Sequence, residues 1–210
     1  MCNFIKSLNF VPYLQCPPSL PLSLAQQVPV LEFKVSSSGE KIHLTQSVAI
    51  MEFLDELLPT RCPLLPSDPL LRARVRQVAE IVASGIQPLQ GIAIIRQVKN
   101  ADVFGTTLDG QAYAKLKCEE GLAALELLLA SLRGPPHTAT AQSAPSVFAA
   151  GTSFPTLADL CLVPQVYNAR VRLGITVDGS THPHIAEVDA LCAALSAFKK
   201  ADPAIQPDAV

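Results

Sequence analysis

The chain of 210 residues is 49% hydrophobic and 16% charged, with a formal net charge of −2. This length and composition allow a sizeable buried core, which excludes a disordered chain. The 16 basic and 18 acidic residues nearly balance, so no polycationic surface exists and nucleic acid is not expected as a partner.

The six cysteines are scattered along the chain without a closely spaced pair. We therefore expect reduced thiols and a cytoplasmic location. The four histidines lack the spacing of zinc ligands, and no metal site is predicted. No apolar run reaches the roughly 18 residues that span a bilayer, so no membrane association is expected.

The first part of the chain shows a change in pattern near residue 28. Residues 1–27 have no sustained period and contain several prolines, which predicts an irregular arm. Residues 28–33 and 41–44 are short β-rich runs that predict a hairpin. A lone hairpin is marginally stable and leaves an open edge, so we hypothesise that residues 4–5 or 10–11 cover that edge.

A helical pattern begins at Ser47 and is ended by a proline. Residues 60–69, which include three prolines, are interpreted as a linker. Beyond the linker the chain is predicted to be helical to its end. Apolar residues from 71 to 92 follow the spacing of one long helix, and Gly85 and Pro88 within it predict a bend.

The second half of the chain continues the helical pattern. Residues 118–132 form another apolar stripe, and residues 137–146 have the composition of a loop. Thr156 and Asp159 have the spacing of a capping box that opens a third helix, and we assign Asp159 a structural role. Residues 185–195 indicate a fourth helix.

This order of elements resembles the cytosolic glutathione transferases. Five segments narrow the resemblance to the zeta class, the maleylacetoacetate isomerases, and the matches cover about residues 26–208. The segments are Gln27-Val28-Pro29, Gln46-Ser47-Val48-Ala49-Ile50, Leu64-Leu65-Pro66-Ser67-Asp68-Pro69, Gly85-Ile86-Gln87-Pro88-Leu89-Gln90, and the eleven residues from Thr156 to Val166.

The resemblance implies an α+β fold tending to mainly α. Residues 1–27 form an arm that does not match the family. Residues 28–62 correspond to a truncated thioredoxin-like, glutathione-binding part, and residues 63–210 to an all-helical C-terminal domain. The family pairs as homodimers, which we therefore expect here.

The resemblance also implies an activity. The family isomerises maleylacetoacetate from cis to trans in tyrosine and phenylalanine breakdown, with glutathione as cofactor, and has glutathione transferase activity. The expected ligands are therefore glutathione and a small dicarboxylate substrate.

One family motif is missing from the sequence. The family carries its catalytic serine and cysteine in a segment of the form Ser-Ser-Cys-Ser-Trp-Arg-Val-Arg, whereas this chain has no tryptophan at all. We therefore assign no catalytic residue. The alternative interpretation is a noncatalytic binding or dimerisation module with the glutathione transferase fold.

The resemblance assigns four residues to glutathione. Val28, before a proline that is cis in the family, offers its backbone to the cysteinyl part. Gln46 and Ser47 hold the γ-glutamyl end, and Gln87 contacts ligand. The plain alternatives are a proline that opens an edge strand, a helix cap at Ser47, and a solvated polar residue at Gln87.

Substrate carboxylates are attracted in the family by a basic residue near the end of the capping-box helix. Val171 occupies that place here, flanked by Arg170 and Arg172. Either arginine is a candidate for this role. Each is otherwise an ordinary charge near a helix C-terminus.

Overall fold

The computed structural model describes residues 5–11, 29–58, 63–100, 102–103, 106–107, 109–133 and 147–206. The chain divides into two compact units, Met1–Leu65 and Pro66–Val210. The sequence placed the start of the helical domain at residue 63, close to this division.

The first unit contains a three-stranded antiparallel sheet. Its strands are β1 (Ile5–Val11), β2 (Val30–Val35) and β3 (Lys41–Thr45), in that order across the sheet. The predicted hairpin is therefore present as β2 and β3. The three described strands are joined by one short turn and by the segment 12–29, most of which lies outside the described residues.

The prediction of an irregular arm is wrong for residues 5–11. This stretch pairs with β2, with Phe10 opposite Leu31 and Val11 opposite Val30, as the edge-covering hypothesis expected for residues 10–11. The first proline of the chain is at position 12, so every residue of β1 keeps its backbone N–H. Pairing satisfies the donors and acceptors that β2 would otherwise expose.

One face of the sheet packs against helix α1 (Ser47–Leu57). Leu31 and Phe33 of β2 are buried, as is Ile50 of α1. The rings of Phe33 and Phe53 stack with their centroids 5.0 Å apart. This apolar contact fixes α1 on the sheet and thereby sets the position of the start of that helix.

The described part of the second unit consists mainly of helices, with one small hairpin and with connecting segments that include residues 147–156 and 174–182. That hairpin corrects the prediction that the chain beyond the linker is helical to its end apart from a loop at residues 137–146, because residues 102–107 carry no helical period. The elements are α2 (Pro69–Glu80), a π-helix (Ile81–Ile86), a 3₁₀-helix (Gln87–Gln90), α3 (Ile92–Asn100), β4 (Asp102–Val103), β5 (Thr106–Thr107), α4 (Gly110–Arg133), α5 (Leu157–Leu173), α6 (Pro183–Ala194), α7 (Ser196–Lys200) and a 3₁₀-helix (Pro203–Ile205).

The core of the second unit is built from the predicted apolar stripes. The α4 stripe is buried along its length, and α5 contributes a buried face that includes Asp159. The capping box at Thr156 and Asp159 is present. The predicted fold class, α+β tending to mainly α, is thus confirmed. The large side chains that are fully buried here include Val75, Val78, Ile86, Leu122, Leu125, Leu129, Leu157, Leu162, Val166 and Ile185.

The start of α6 is held by side chains of α4. The carboxylate of Glu126 accepts hydrogen bonds from the backbone N–H groups of His184 (2.8 Å) and Ile185 (3.0 Å). The Arg133 guanidinium is buried, 3.2 Å from His184 Nδ1 and 3.1 Å from Glu187 Oε2. These contacts anchor α6 on α4 through charged groups inside the unit.

This cluster predicts an acid-sensitive stability. Burial, aided by Arg133, lowers the pKa of His184 from its ordinary value of 6.5, although Glu126 and Glu187 oppose the shift. The folded state then binds the proton less tightly than the unfolded chain, so the contribution of His184 to stability is full above about pH 6.5 and falls below it. Burial raises the pKa of Asp159, which has the opposite effect on the pH dependence.

Comparing wild type with His184→Gln isolates the histidine. Melting temperatures measured between pH 8 and pH 5 should fall more steeply for wild type below about pH 6.5. Equal slopes for the two proteins would show that His184 does not contribute.

Three further features concern membranes, metals and thiols. Among the helices that the structure describes, no single one is long and apolar enough to cross a bilayer. One pair, Pro69–Gln90 and Ile92–Lys99, bent by 45°, meets the test of length and composition together. Within the described ranges, no group of His, Cys, Asp or Glu side chains is arranged to hold a metal ion. The described cysteines Cys118, Cys161 and Cys192 are free thiols.

Candidate functional site

The connection between β3 and α1 consists of the single residue Gln46. Gln46 has φ 74° and ψ 117°, and it is the one non-glycine residue with positive φ in the described part of the chain. The chain therefore makes the whole change of direction from strand to helix at this residue. Such backbone strain costs roughly 1–3 kcal/mol and is found mainly where function requires it.

The start of α1 has the features of a helix N-terminus that binds an anion. Ser47 is the first residue of the helix rather than its cap, and both Gln46 and Ser47 are exposed. The side chain of Gln46, the N-cap residue, makes no capping hydrogen bond, and the first turn of α1 carries no acidic residue. The free N–H groups and the positive end of the helix dipole suit a carboxylate.

Val28, together with its peptide bond to Pro29, lies outside the described residues. The predicted backbone contact at that position therefore stays a prediction. Of the residues predicted to bind glutathione, the structure describes Gln46 and Ser47 side by side in the first unit, and Gln87 in the second.

Gln87 is exposed and begins a 3₁₀ turn. The sequence predicted a bend at Gly85 and Pro88. The structure instead shows a change of helix type: α2 gives way to a π-helix at Ile81, and the π-helix to the 3₁₀ turn at Gln87. Single-turn π segments occur often at functional sites. The 45° bend follows, between this turn and α3.

A buried amide pair, missed by the sequence analysis, lies at the end of that turn. Gln90 Nε2 donates to Gln165 Oε1 at 2.5 Å, and Gln165 Nε2 donates to Gln90 Oε1 at 3.2 Å. Gln165 Nε2 also approaches Cys118 Sγ at 3.3 Å. Burial raises the pKa of the Cys118 thiol to about 11, so it is protonated at neutral pH. The available signal was a glutamine on the apolar face of α5, between Leu162 and Val166.

The two candidate arginines near the end of α5 differ in their surroundings. Arg170 donates from Nε and Nη2 to the carbonyl of Val177, at 3.1 and 2.6 Å, and from Nη1 to Asp189. These bonds hold the segment between α5 and α6. Arg170, Val171 and Arg172 are all exposed, so the two arginines differ in their bonding rather than in their exposure. The guanidinium of Arg170 is thus engaged by groups of the second unit, and the role of either arginine toward a carboxylate stays a prediction.

Comparisons with known proteins give consistent similarities, although no protein-family model matches the chain. The chain is 35% identical over 187 residues to the maleylacetoacetate isomerase of Mus musculus, covering 89% of this chain and 73% of that protein. A crystal structure of maleylacetoacetate isomerase from Anaeromyxobacter dehalogenans, with dicarboxyethyl glutathione and citrate in its active site, superposes with a TM-score of 0.70 at 40% identity, covering 88% of this chain and 73% of that one.

A third similarity concerns a class of enzymes. The holo structure of a bacterial maleylpyruvate isomerase, described as a zeta-class glutathione S-transferase, superposes with a TM-score of 0.69 at 37% identity. It covers 90% of this chain and 79% of that one.

Proposed function

The chain belongs to the maleylacetoacetate isomerases, the zeta class of glutathione transferases, and from this membership we propose that it binds glutathione and isomerises maleylacetoacetate from cis to trans. Glutathione transferase activity is part of the proposal. The observation that carries it in this chain is the uncapped start of α1, where strained Gln46 and exposed Ser47 offer free N–H groups.

The residues present fit the carboxylate end of glutathione. Ser47 would bind the γ-glutamyl carboxylate through its hydroxyl and its N–H, and Gln46 would contact the same end. Val28 would contribute backbone groups to the cysteinyl part, and Gln87 a side-chain contact. When bound, glutathione supplies a thiolate that adds to the conjugated double bond and leaves after rotation about the resulting single bond.

The substrate class follows from charge. A small dicarboxylate needs a cation, and exposed Arg172 is the one we propose, with Arg170 held by Val177 and Asp189. The Anaeromyxobacter neighbour holds citrate in its active site, which supports a carboxylate-binding site.

We further propose that the protein is a cytoplasmic homodimer. Sedimentation analysis distinguishes a dimer from a monomer.

Glutathione binding without turnover is the second candidate function. The absence of the serine and cysteine motif from the printed sequence favours it. Turnover of maleylacetoacetate with glutathione, followed by its absorbance, decides between the two. Turnover establishes the isomerase. A glutathione-dependent rise in melting temperature without turnover establishes the binding module. If glutathione produced no turnover and no rise in melting temperature, both candidate functions would be contradicted.

Ser47→Ala tests the binding site directly. We expect the glutathione Kd to rise about tenfold, because the hydroxyl's charge-assisted hydrogen bond is lost. The melting temperature should stay close to that of wild type, since Ser47 is exposed and caps nothing. Calorimetric titration measures the Kd.

Ser131→Ala is the matched control. Ser131 is an exposed helical serine whose hydroxyl donates only to the carbonyl of Leu128 among the described bonds. It should bind glutathione like wild type. If Ser47→Ala also retained the wild-type Kd, the start of α1 would not be the site of glutathione binding.

A further inference from the structure

The amide pair Gln90–Gln165 is an unusual component of an apolar core. Both side chains are buried, with 5% and 4% exposure. Each side-chain amide donates a hydrogen bond to the other and accepts one from it, and Gln165 has a further contact with Cys118. A satisfied buried amide pair adds little net stability over apolar side chains of the same shape. What it adds is a directional constraint between two elements.

The element that this pair constrains is irregular. A π-helix followed by a 3₁₀ turn has poorer hydrogen-bond geometry than continuous α-helix, so tertiary contacts must hold it. At one end of the 3₁₀ turn, Ile86 is buried against α4, where a Cβ on Gly121 would lie 2.3 Å from its Cγ1. At the other end, Gln90 is bonded to Gln165 on α5. Exposed Gln87 lies between these two anchors.

We propose that Gln90 and Gln165 are a positioning pair that fixes the direction in which Gln87 projects toward its ligand. The identity of the ligand, glutathione, rests on the proposed function. The fixing of the turn does not, because it follows from the two anchors. Neither glutamine of the pair touches ligand, and their effect on binding passes through Gln87.

The decisive variant replaces both amides at once, by Gln90→Leu with Gln165→Leu. This change replaces both amides by apolar side chains of similar size and leaves no orphaned amide partner, so the melting temperature should stay near that of wild type. Hydrogen exchange of the backbone amides in the segment 87–91, where Pro88 has no N–H, should become about tenfold faster. The glutathione Kd should rise about fivefold, Gln87→Ala should raise it by about the same factor, and the triple variant should show no further rise.

Controls separate positioning from general destabilisation. Val188→Ala creates a cavity in buried α6, so it should lower the melting temperature while leaving both the Kd and the exchange at residues 87–91 unchanged. If the double variant does not fold, Gln90→Met alone is measured in the same way, because methionine keeps the length of the side chain. The expected changes in hydrogen exchange and in the glutathione Kd are the same.

Two results would overturn the positioning pair. Unchanged hydrogen exchange at residues 87–91 in the double variant would overturn the positioning role, whether or not the protein binds glutathione. The positioning role would also be overturned if the triple variant lost affinity by the sum of the losses of Gln87→Ala and the double variant, because independent effects add. Failure of wild type to bind glutathione overturns the proposed function instead, and the exchange measurement still decides the role of the pair.

Discussion

Replacing Asp159 by alanine is expected to lower the free energy of unfolding of the helical unit by about 3 kcal/mol. The carboxylate is fully buried and accepts hydrogen bonds from Ala149 N–H (2.8 Å), Thr156 N–H (2.7 Å) and the Thr156 hydroxyl (2.9 Å). Alanine would leave these buried donors without an acceptor, at roughly 1–3 kcal/mol each before relaxation. The melting temperature should fall by about 10 °C.

Two further variants calibrate that loss. Asp159→Asn keeps one oxygen acceptor and should lose less. Asp202 caps the exposed 3₁₀-helix at Pro203 and accepts from Ala204 N–H at 2.9 Å, so Asp202→Ala should cost under about 1 kcal/mol. Urea unfolding followed by circular dichroism measures all three. Equal losses for the Asp159 and Asp202 alanine variants would show that burial adds nothing to the cap.

This contrast shows what a local sequence pattern can predict. The spacing of Thr156 and Asp159 predicted the capping box, because both partners lie within one turn. A cap of this kind is worth about 1 kcal/mol. The larger effect expected here comes from Ala149, ten residues away in the chain, a contact that the pattern does not contain.

Local sequence patterns likewise predicted only part of the candidate site. Local signals and the resemblance predicted that Gln46 and Ser47 lie at the start of a helix. They did not predict the left-handed backbone of Gln46, because that conformation depends on how closely β3 and α1 are joined. The Gln90–Gln165 pair joins residues 75 positions apart, so no window of sequence reveals it. The strand at residues 5–11 was predicted only through the hypothesis that residues 4–5 or 10–11 cover the sheet edge, because the prolines from position 12 onward indicate an irregular segment.

The contact between α3 and α4 gives the second large effect. Gly110→Ala is expected to destabilise the helical unit by about 3 kcal/mol, at the upper end for overpacking. A Cβ on Gly110 would lie 2.2 Å from the backbone oxygen of Ile95 and 3.0 Å from its carbonyl carbon. A backbone group cannot rotate away, so α3 would have to move as a whole.

Two other glycines make this prediction selective. A Cβ on Gly121 would meet only side-chain atoms, at 2.3 Å from Cγ1 of buried Ile86, and a side chain can change rotamer at roughly 1 kcal/mol. Gly179 has open space around it and no positive φ. Urea unfolding should therefore rank the alanine variants by loss of stability as Gly110, then Gly121, then Gly179. A Gly110→Ala protein as stable as wild type would mean that α3 is free to shift relative to α4, because rotamer changes cannot relieve contact with a carbonyl oxygen.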